Sequence, residues 1–477
     1  MIPRRIRVVQ AAIIVAAAGV IVLSIWWTRT ARTVAPAVSS PSPAVAELNG
    51  SLLQQLNAVR PPGEADLSGP VPTTEQLEKQ FSLIVQNQER VNELKTHAAT
   101  AAAAKNAATV KRDLEEAKPL VSLLNLREAA FERDLAAARQ ARPKDTAVQW
   151  LTGELLITVG GEPEQILPYL HNAALSGMKQ PQLFASLAKV EFDLNRFDAA
   201  YDHALQAVEQ DRHSRAAWDS YGRASFALER FGEVIQRLDQ AFPANRPDWA
   251  GAIQSAAERL SASWSRELAL RRSEDKAGTL PLVRLIVEHR KFLGAAGGKQ
   301  IAAAESTGRG EVIIQLFEDQ APATVANFIS LVEAGFYNGT SFYWAEGGHM
   351  VVGGDPNTKN DDPSDDGIGG PGYVIPDEFS APQARPHFRG TISTVQNGPR
   401  RVGSQFVITL VPSPEFDGNS TAFGRVIQGQ KVLDQVTVGR TNREVGQFGK
   451  IIPGDLVVRA EVVRKRPHAY PVTKLTP

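Results

Sequence analysis

No cysteine occurs among the 477 residues, which excludes disulfides, thiolate metal sites and cysteine nucleophiles together. Net charge is absent as well: 52 Lys+Arg balance 52 Asp+Glu, so no overall field draws the chain onto nucleic acid. Methionine is rare, with 3 residues, and aromatics make up only 7%. Long apolar runs are scarce too, which makes the stretch at residues 11–27, AAIIVAAAGVIVLSIWW, stand out. What is plentiful is length, glycine and proline: 37 Gly and 30 Pro in 477 residues call for two or three packed units joined by breaks rather than one core.

The apolar run has Arg4, Arg5 and Arg7 before it and Arg29 and Arg32 after it. At about 1.5 Å per helical residue it lies at the short end of what crosses a hydrocarbon core. Trp26 and Trp27 at its far edge suit an interfacial belt, so residues 1–29 are expected to be an uncleaved transmembrane anchor. A cleaved signal peptide would share the basic start, and Ala35-Pro-Ala37 offers it a small-x-small site. The arginine asymmetry places the bulk of the chain extracytoplasmic, membrane-anchored by its N terminus, or secreted if the segment is cleaved. Residues 30–74, rich in Pro, Ala and Ser, are expected to be a linker.

A helical pattern follows, with Leu77, Phe81, Ile84, Val85, Val91 and Leu94 at roughly i, i+3, i+4 spacing. The alanine-rich stretch 96–111 is expected to extend that helix. Shifting the middle of the chain by 34 residues aligns Trp150, Phe184 and Trp218, then Phe197 with Phe231, and Ala173 with Ala207 and Ala241. Two amphipathic segments recur within each period. This pattern resembles the tetratricopeptide repeat (TPR), a stacked helix hairpin. The first unit departs from it, with Pro163 in place of Phe and Gly153 in place of Leu or Tyr. Such columns serve plain helix stacking equally well; the alternative is a surface that takes a protein partner.

From Gly310 the texture changes to short β-prone runs broken by Gly and Pro, with one helix starting near Pro322. The segments APATVANFISLVEAGFYNGTSF, GGDP, GGPGYVIPDEF, HFRGTIS, GSQFVITL and FGRVIQGQKVLDQV occur in order. They resemble a cyclophilin-type peptidyl-prolyl cis-trans isomerase domain over about residues 308–465. The resemblance implies a multi-domain chain: an all-α, TPR-like repeat array followed by a mainly β closed barrel of cyclophilin type with two helices. The expected divisions are 1–29 anchor or signal, 30–74 linker, 75–146 helical region, 147–245 TPR-like repeats, 246–300 helices and a hinge, 301–465 cyclophilin-like domain and 466–477 tail.

Rotation about an Xaa–Pro bond meets a barrier of ~18–20 kcal/mol set by amide resonance. Lowering it requires an apolar seat for the proline ring, a donor for the carbonyl, and a cation acting mainly on the twisted state. In the family that cation is an arginine in a Phe-His-Arg strand; here the strand is Phe342-Tyr343-Trp344, which puts Trp344 at the arginine position. An indole offers one N–H and a stacking face, not a guanidinium fork. The resemblance also implies peptide-binding roles for His349, Met350, Val352, Gln396, Gln405, Val407, Phe416 and Ser420, most of them altered from the usual residues. Phe342 and Phe406 are expected in the barrel core. Arg400 and Arg401 are weighed as a replacement cation and the acidic run 361–366 as a calcium loop; a solvated loop is the plainer reading of each. No catalytic residue, metal site or cofactor is assigned. Three functions remain open: a membrane-tethered isomerase or folding helper acting on proline-containing polypeptide clients, a weakly active or inactive scaffold that binds proline peptides while its repeats recruit partners, and an array whose repeats do the work with the barrel as a structural cap.

Overall fold

A computed structural model of the chain describes residues 70–104, 106–292, 304–360, 365–396, 401–436 and 454–476. The chain divides into two compact units, one ending at Leu187 and the other running from Ala188 to Pro477.

The first unit opens with α1 (Thr74–Ala103) and α2 (Ala107–Ala141). Thr73 and Gln76 form a reciprocal capping box at the start of α1, which satisfies two amides that would otherwise lack partners. Leu77, Phe81, Ile84, Val91 and Leu94 are buried, as are Leu124, Phe131 and Leu135 of α2, and the rings of Phe81 and Phe131 meet at 5.7 Å. The alanine-rich stretch extends α1 only as far as Ala103. It contains the turn, for the backbone leaves the helix at Ala104, and Asn106 caps α2 by accepting from the Thr109 amide at 3.2 Å. Ala98 and Ala101 of the stretch are buried, but a methyl group offers little area to pack, so the turn costs little packing.

α3 (Thr146–Thr158) and α4 (Pro163–Leu175) follow as a hairpin, then α5 (Pro181–Asp193). The odd glycine of the first period has a reason: a Cβ on Gly153 would overlap the Leu170 side chain. In the second unit α6 (Phe197–Gln210), α7 (Arg215–Ala227) and α8 (Phe231–Ala241) continue the paired helices. Trp218 and Tyr221 are buried there, with Trp218 edge-on to Tyr221 at 5.8 Å. The 34-residue period reappears in the backbone. Asn195 and Glu229, 34 positions apart, each turn the chain with left-handed φ of 58° and 60°, the only non-glycine residues among those described to do so. Such a conformation costs about 1–2 kcal/mol for most L-residues.

α9 (Asp248–Ala277) ends at Gly278 in a left-handed cap. Here an expectation is corrected: residues 246–300 are not helices and a hinge throughout. β1 (Leu282–Phe292) is a strand, with Val283, Leu285 and Val287 buried and Leu282, Arg284, Ile286 and Glu288, each half-buried, alternating with them. That is the period of two of a half-buried strand. The hinge expected at 294–298 lies outside the described residues.

The remaining strands are β2 (Ala304–Leu316), β3 (Thr340–Ser341), β4 (Trp344–Glu346), β5 (Met350–Gly353), β6 (Ile375–Pro376), β7 (Thr391–Gln396), β8 (Arg401–Thr409), β9 (Ala422–Gln428) and β10 (Leu456–Arg464). They form one antiparallel sheet in the order β3-β10-β1-β2-β9-β7-β8-β5-β4, with β6 beside β8. β3 and β4 belong to one extended stretch. Its first half pairs with β10 and its second with β5, so the sheet closes on itself as a barrel. α10 (Pro322–Glu333) and α11 (Gln430–Asp434) are its two helices. Phe328, Phe342, Phe406 and Phe423 are buried, and Phe328 meets Phe406 edge-on at 6.1 Å.

Within the second unit α9 lies along the barrel. Arg385, almost fully buried, donates to Glu267 at 2.7 and 2.8 Å and to Glu274 at 2.6 Å, and it stacks on Phe317 at 4.0 Å. Trp264 packs on Phe388 at 4.8 Å.

The localisation expected from the amino-terminal run is corrected. No helix among the described residues is long and apolar enough to cross a membrane, and membrane anchoring has no support in the structure. α1 and α2 have the length, at 30 and 35 residues, but acidic and basic side chains run along both. Residues 1–29, on which the expectation rested, lie outside the described residues.

Candidate functional site

Strand register assembles the expected site. Val352 of β5 stands opposite Trp344 of β4 and Val407 of β8, and Val407 stands opposite Ser393 of β7. Side chains alternate between the two faces of a sheet, so Trp344, Val352, Val407 and Ser393 form one row across four strands. Met350 and Gln405 lie two residues along from Val352 and Val407 and share that face. The intervening residues Val351 and Ile408 fill the core on the opposite face, where both are fully buried. Trp344 is 56% exposed although it is the bulkiest member of the row.

Gln405 is fixed from two sides. The Tyr343 hydroxyl donates to its Oε1 at 2.6 Å, and its Nε2 donates to the Gly369 carbonyl at 2.8 Å. Burial, together with the nearby Asp355 and Asp366 carboxylates, holds the Tyr343 phenol well above its ordinary value, so it remains a donor.

His349 sits in the turn between β4 and β5. Its Nε2 is 2.6 Å from Glu415 Oε1 and its Nδ1 is 3.3 Å from Glu346 Oε2. Its ring stacks on Phe416 with centroids 5.9 Å apart and 7° between planes. Burial works against the charged ring, but the hydrogen bonds and charges of Glu346 and Glu415 outweigh it and raise its pKa to about 9. At neutral pH the turn therefore holds an imidazolium with both nitrogens directed at carboxylates.

Phe416 closes a short 3-10 turn, Pro414–Phe416, and its carbonyl accepts from the Ser420 amide at 3.0 Å. Ser420 is buried and its hydroxyl donates to the Thr394 carbonyl. Gln396 is at the exposed end of β7, opposite Val402 rather than Val407, and its Nε2 donates to the Asn419 carbonyl at 2.7 Å. The nine expected residues thus fall into a tight group of Trp344, Met350, Val352, Gln405 and Val407, a flank of His349 and Phe416, and an outer pair, Gln396 and Ser420, whose polar atoms are engaged by backbone. Three side chains of this site were not anticipated: Tyr343, Glu346 and Glu415. The Glu346-to-His349 spacing was visible in the sequence, whereas Glu415 lies 66 residues from its partner.

Of the other candidates, Arg400 and residues 361–364 lie outside the described residues. Asp365 accepts from Asn360 at 3.0 Å, and no cluster of three potential metal ligands exists among the described residues.

A closed antiparallel barrel with a helix on each side and an apolar, aromatic-edged face defines the class of protein. The family profile described as cyclophilin type peptidyl-prolyl cis-trans isomerase/CLD matches residues 302–459. Among curated relatives, a peptidyl-prolyl cis-trans isomerase of Synechococcus elongatus is 41% identical over 119 residues, covering 25% of this chain and 75% of that one. One from Helicobacter pylori is 36% identical over 143 residues, 30% and 83% of the two chains. The chain belongs to the cyclophilin-type peptidyl-prolyl cis-trans isomerase family. Its match to the peptidyl-prolyl cis-trans isomerase-like 2 of Cryptococcus neoformans, 36% over 169 residues, takes in 35% of this chain and only 28% of that protein. Among solved structures, a cyclophilin type isomerase of Cryptosporidium parvum aligns over 39% of this chain and 99% of its own, at 24% identity and a TM-score of 0.29.

Proposed function

We propose that the barrel captures proline-containing segments of other polypeptides on the face carrying Trp344, Met350, Val352, Gln405 and Val407, and isomerises them slowly. The carrying observation is the cross-strand row: an exposed indole stands in register with Val352 and Val407, where family resemblance calls for arginine. Two valines and a methionine offer an apolar seat for a proline ring, and the indole a flat face against it. The cation that would stabilise the twisted imide nitrogen is missing from that row. His349 does not replace it, because both its nitrogens are held by Glu346 and Glu415. Binding is therefore retained while the largest transition-state term is weakened. The paired helices and their recurrent left-handed turns support a TPR-like reading of the array, with a protein partner as its ligand.

Two measurements on the full chain test this. A 15N-labelled chain titrated with a short Ala-Xaa-Pro peptide should show saturable shifts at Trp344, Val352 and Val407. Cis-to-trans exchange of the same peptide should be accelerated only weakly at micromolar protein. Shifts elsewhere on the barrel, or none at all, would remove the binding claim; fast exchange would remove the claim of slow turnover.

A further inference from the structure

The turn that joins α5 to α6 is built into the β4–β5 turn. Asn195 Oδ1 accepts from the Gly348 amide at 2.7 Å, while its Nδ2 donates to the Asp434 carbonyl at the end of α11 at 3.0 Å. Gly348 itself has φ of +69°, and a Cβ there would overlap the Phe192 ring; a Cβ on Gly347 would overlap the Asp193 carbonyl oxygen. Both glycines are thus required by the close approach of the helical turn. A second path reaches the same turn from its other end. Arg389 stacks over Phe197 at 4.4 Å, pairs with Asp434 at 2.7 Å and donates to the Leu410 carbonyl at 2.7 Å. The Leu410 amide in turn donates to the His349 carbonyl at 2.7 Å.

The helical side of this contact is rigid. Phe192 is buried, meets Phe197 edge-on at 5.2 Å and has the Arg223 guanidinium over its ring at 4.3 Å. Asn195 holds the left-handed conformation of its turn, which asparagine tolerates better than most residues. Its backbone therefore makes the turn while its side chain is free to reach the barrel.

We propose that Asn195 is a positioning residue of the groove: by holding the Gly348 amide it fixes the turn that presents Trp344 on one side and His349 on the other. The proposal rests on the reading of that face as a peptide groove. It makes the helical array part of the binding apparatus, since a ligand that shifts the α5–α6 turn shifts the groove wall with it.

The test uses the full chain with Asn195→Gly, which keeps the left-handed turn and removes both the acceptor for Gly348 and the donor to Asp434, and Asn195→Asp, which keeps an acceptor oxygen and loses only that donor, so that the difference between the two reports the Gly348 bond. Two quantities are read: hydrogen exchange of the Gly348 amide and the dissociation constant of an Ala-Xaa-Pro peptide. Loss of one hydrogen bond corresponds to about three- to ten-fold. Asn195→Gly, losing both bonds, is expected to speed Gly348 exchange and weaken the peptide by at least that factor, and Asn195→Asp to recover the Gly348 protection and the affinity that go with that one bond. Unchanged exchange overturns the proposal. So does faster exchange with unchanged affinity, which would make the contact structural only. If the parent chain binds no proline peptide, the groove reading has failed separately. Gly348 exchange and the Trp344 indole resonance then decide whether Asn195 holds the turn: both unmoved in Asn195→Gly overturns the proposal, and both moved upholds it.

Discussion

At the residue scale the informative position is Trp344. A guanidinium there would lie in the row with Val352 and Val407, on the face proposed to take the imide. Trp344→Arg is expected to raise the rate of cis-to-trans exchange by about ten-fold or more, as measured with the peptide used for binding. No gain in a folded variant would mean that the strand does not carry the cation in this barrel. His349 supplies a second expectation. Its raised pKa, about 9 against an ordinary 6.5, means that the charged His349 contributes stability fully present below pH 6.5. That contribution is lost as pH rises through 9. Imidazole resonances followed by NMR should place its titration near pH 9, and Glu415→Gln should lower the midpoint.

At the element scale the turns of the array differ in what they meet. Glu229 repeats the backbone of Asn195 but brings a carboxyl into the unit, where burial raises its pKa to about 7 despite the nearby Arg271, Arg389 and Arg425. A raised carboxyl favours the protonated folded state, so its presence lowers stability as pH rises from 4.5 towards 7. Glu229→Gln should raise the melting temperature by about 2–4 °C at pH 8 and leave it unchanged at pH 4. The same elements show what a sequence reveals. The barrel was legible because its motifs are local runs: α10 announces itself by Pro322 and the face of Val325, Phe328, Ile329 and Val332, and the β5 and β8 segments by their order. β1 is less legible, since the alternate positions to Val283, Leu285 and Val287 include the apolar Leu282 and Ile286 beside Arg284 and Glu288, and the run follows a helix that ends only five residues earlier. The residues of the proposed groove are suggested by resemblance, but their partners are not. The link from Asn195 to Gly348 spans 153 residues and has no periodicity to betray it.

For the whole molecule, the two compact units imply separate cooperative cores. Calorimetry should resolve more than one transition. Arg385→Ala should lower only the one belonging to the unit after Leu187, since it leaves Glu274 without its buried cation and Glu267 with Arg271 alone. Breaking such a pair costs about 3–5 kcal/mol. A single transition shifted as a block would show instead that the units unfold together.

The position of β1 also bears on how the molecule is made. Following α9 directly, it pairs with β2 on one side and on the other with β10, whose residues 456–464 come after every other strand among the described residues. Synthesis runs in one direction, and units formed from near neighbours in sequence fold early. The ribosome therefore releases the helical repeats and α9 first, while β1 waits with an open edge, a liability for stray pairing, until β10 arrives. By then α9 has already left the ribosome, and with it the Glu267 and Glu274 carboxylates and the Trp264 ring that Arg385 and Phe388 meet in the finished unit.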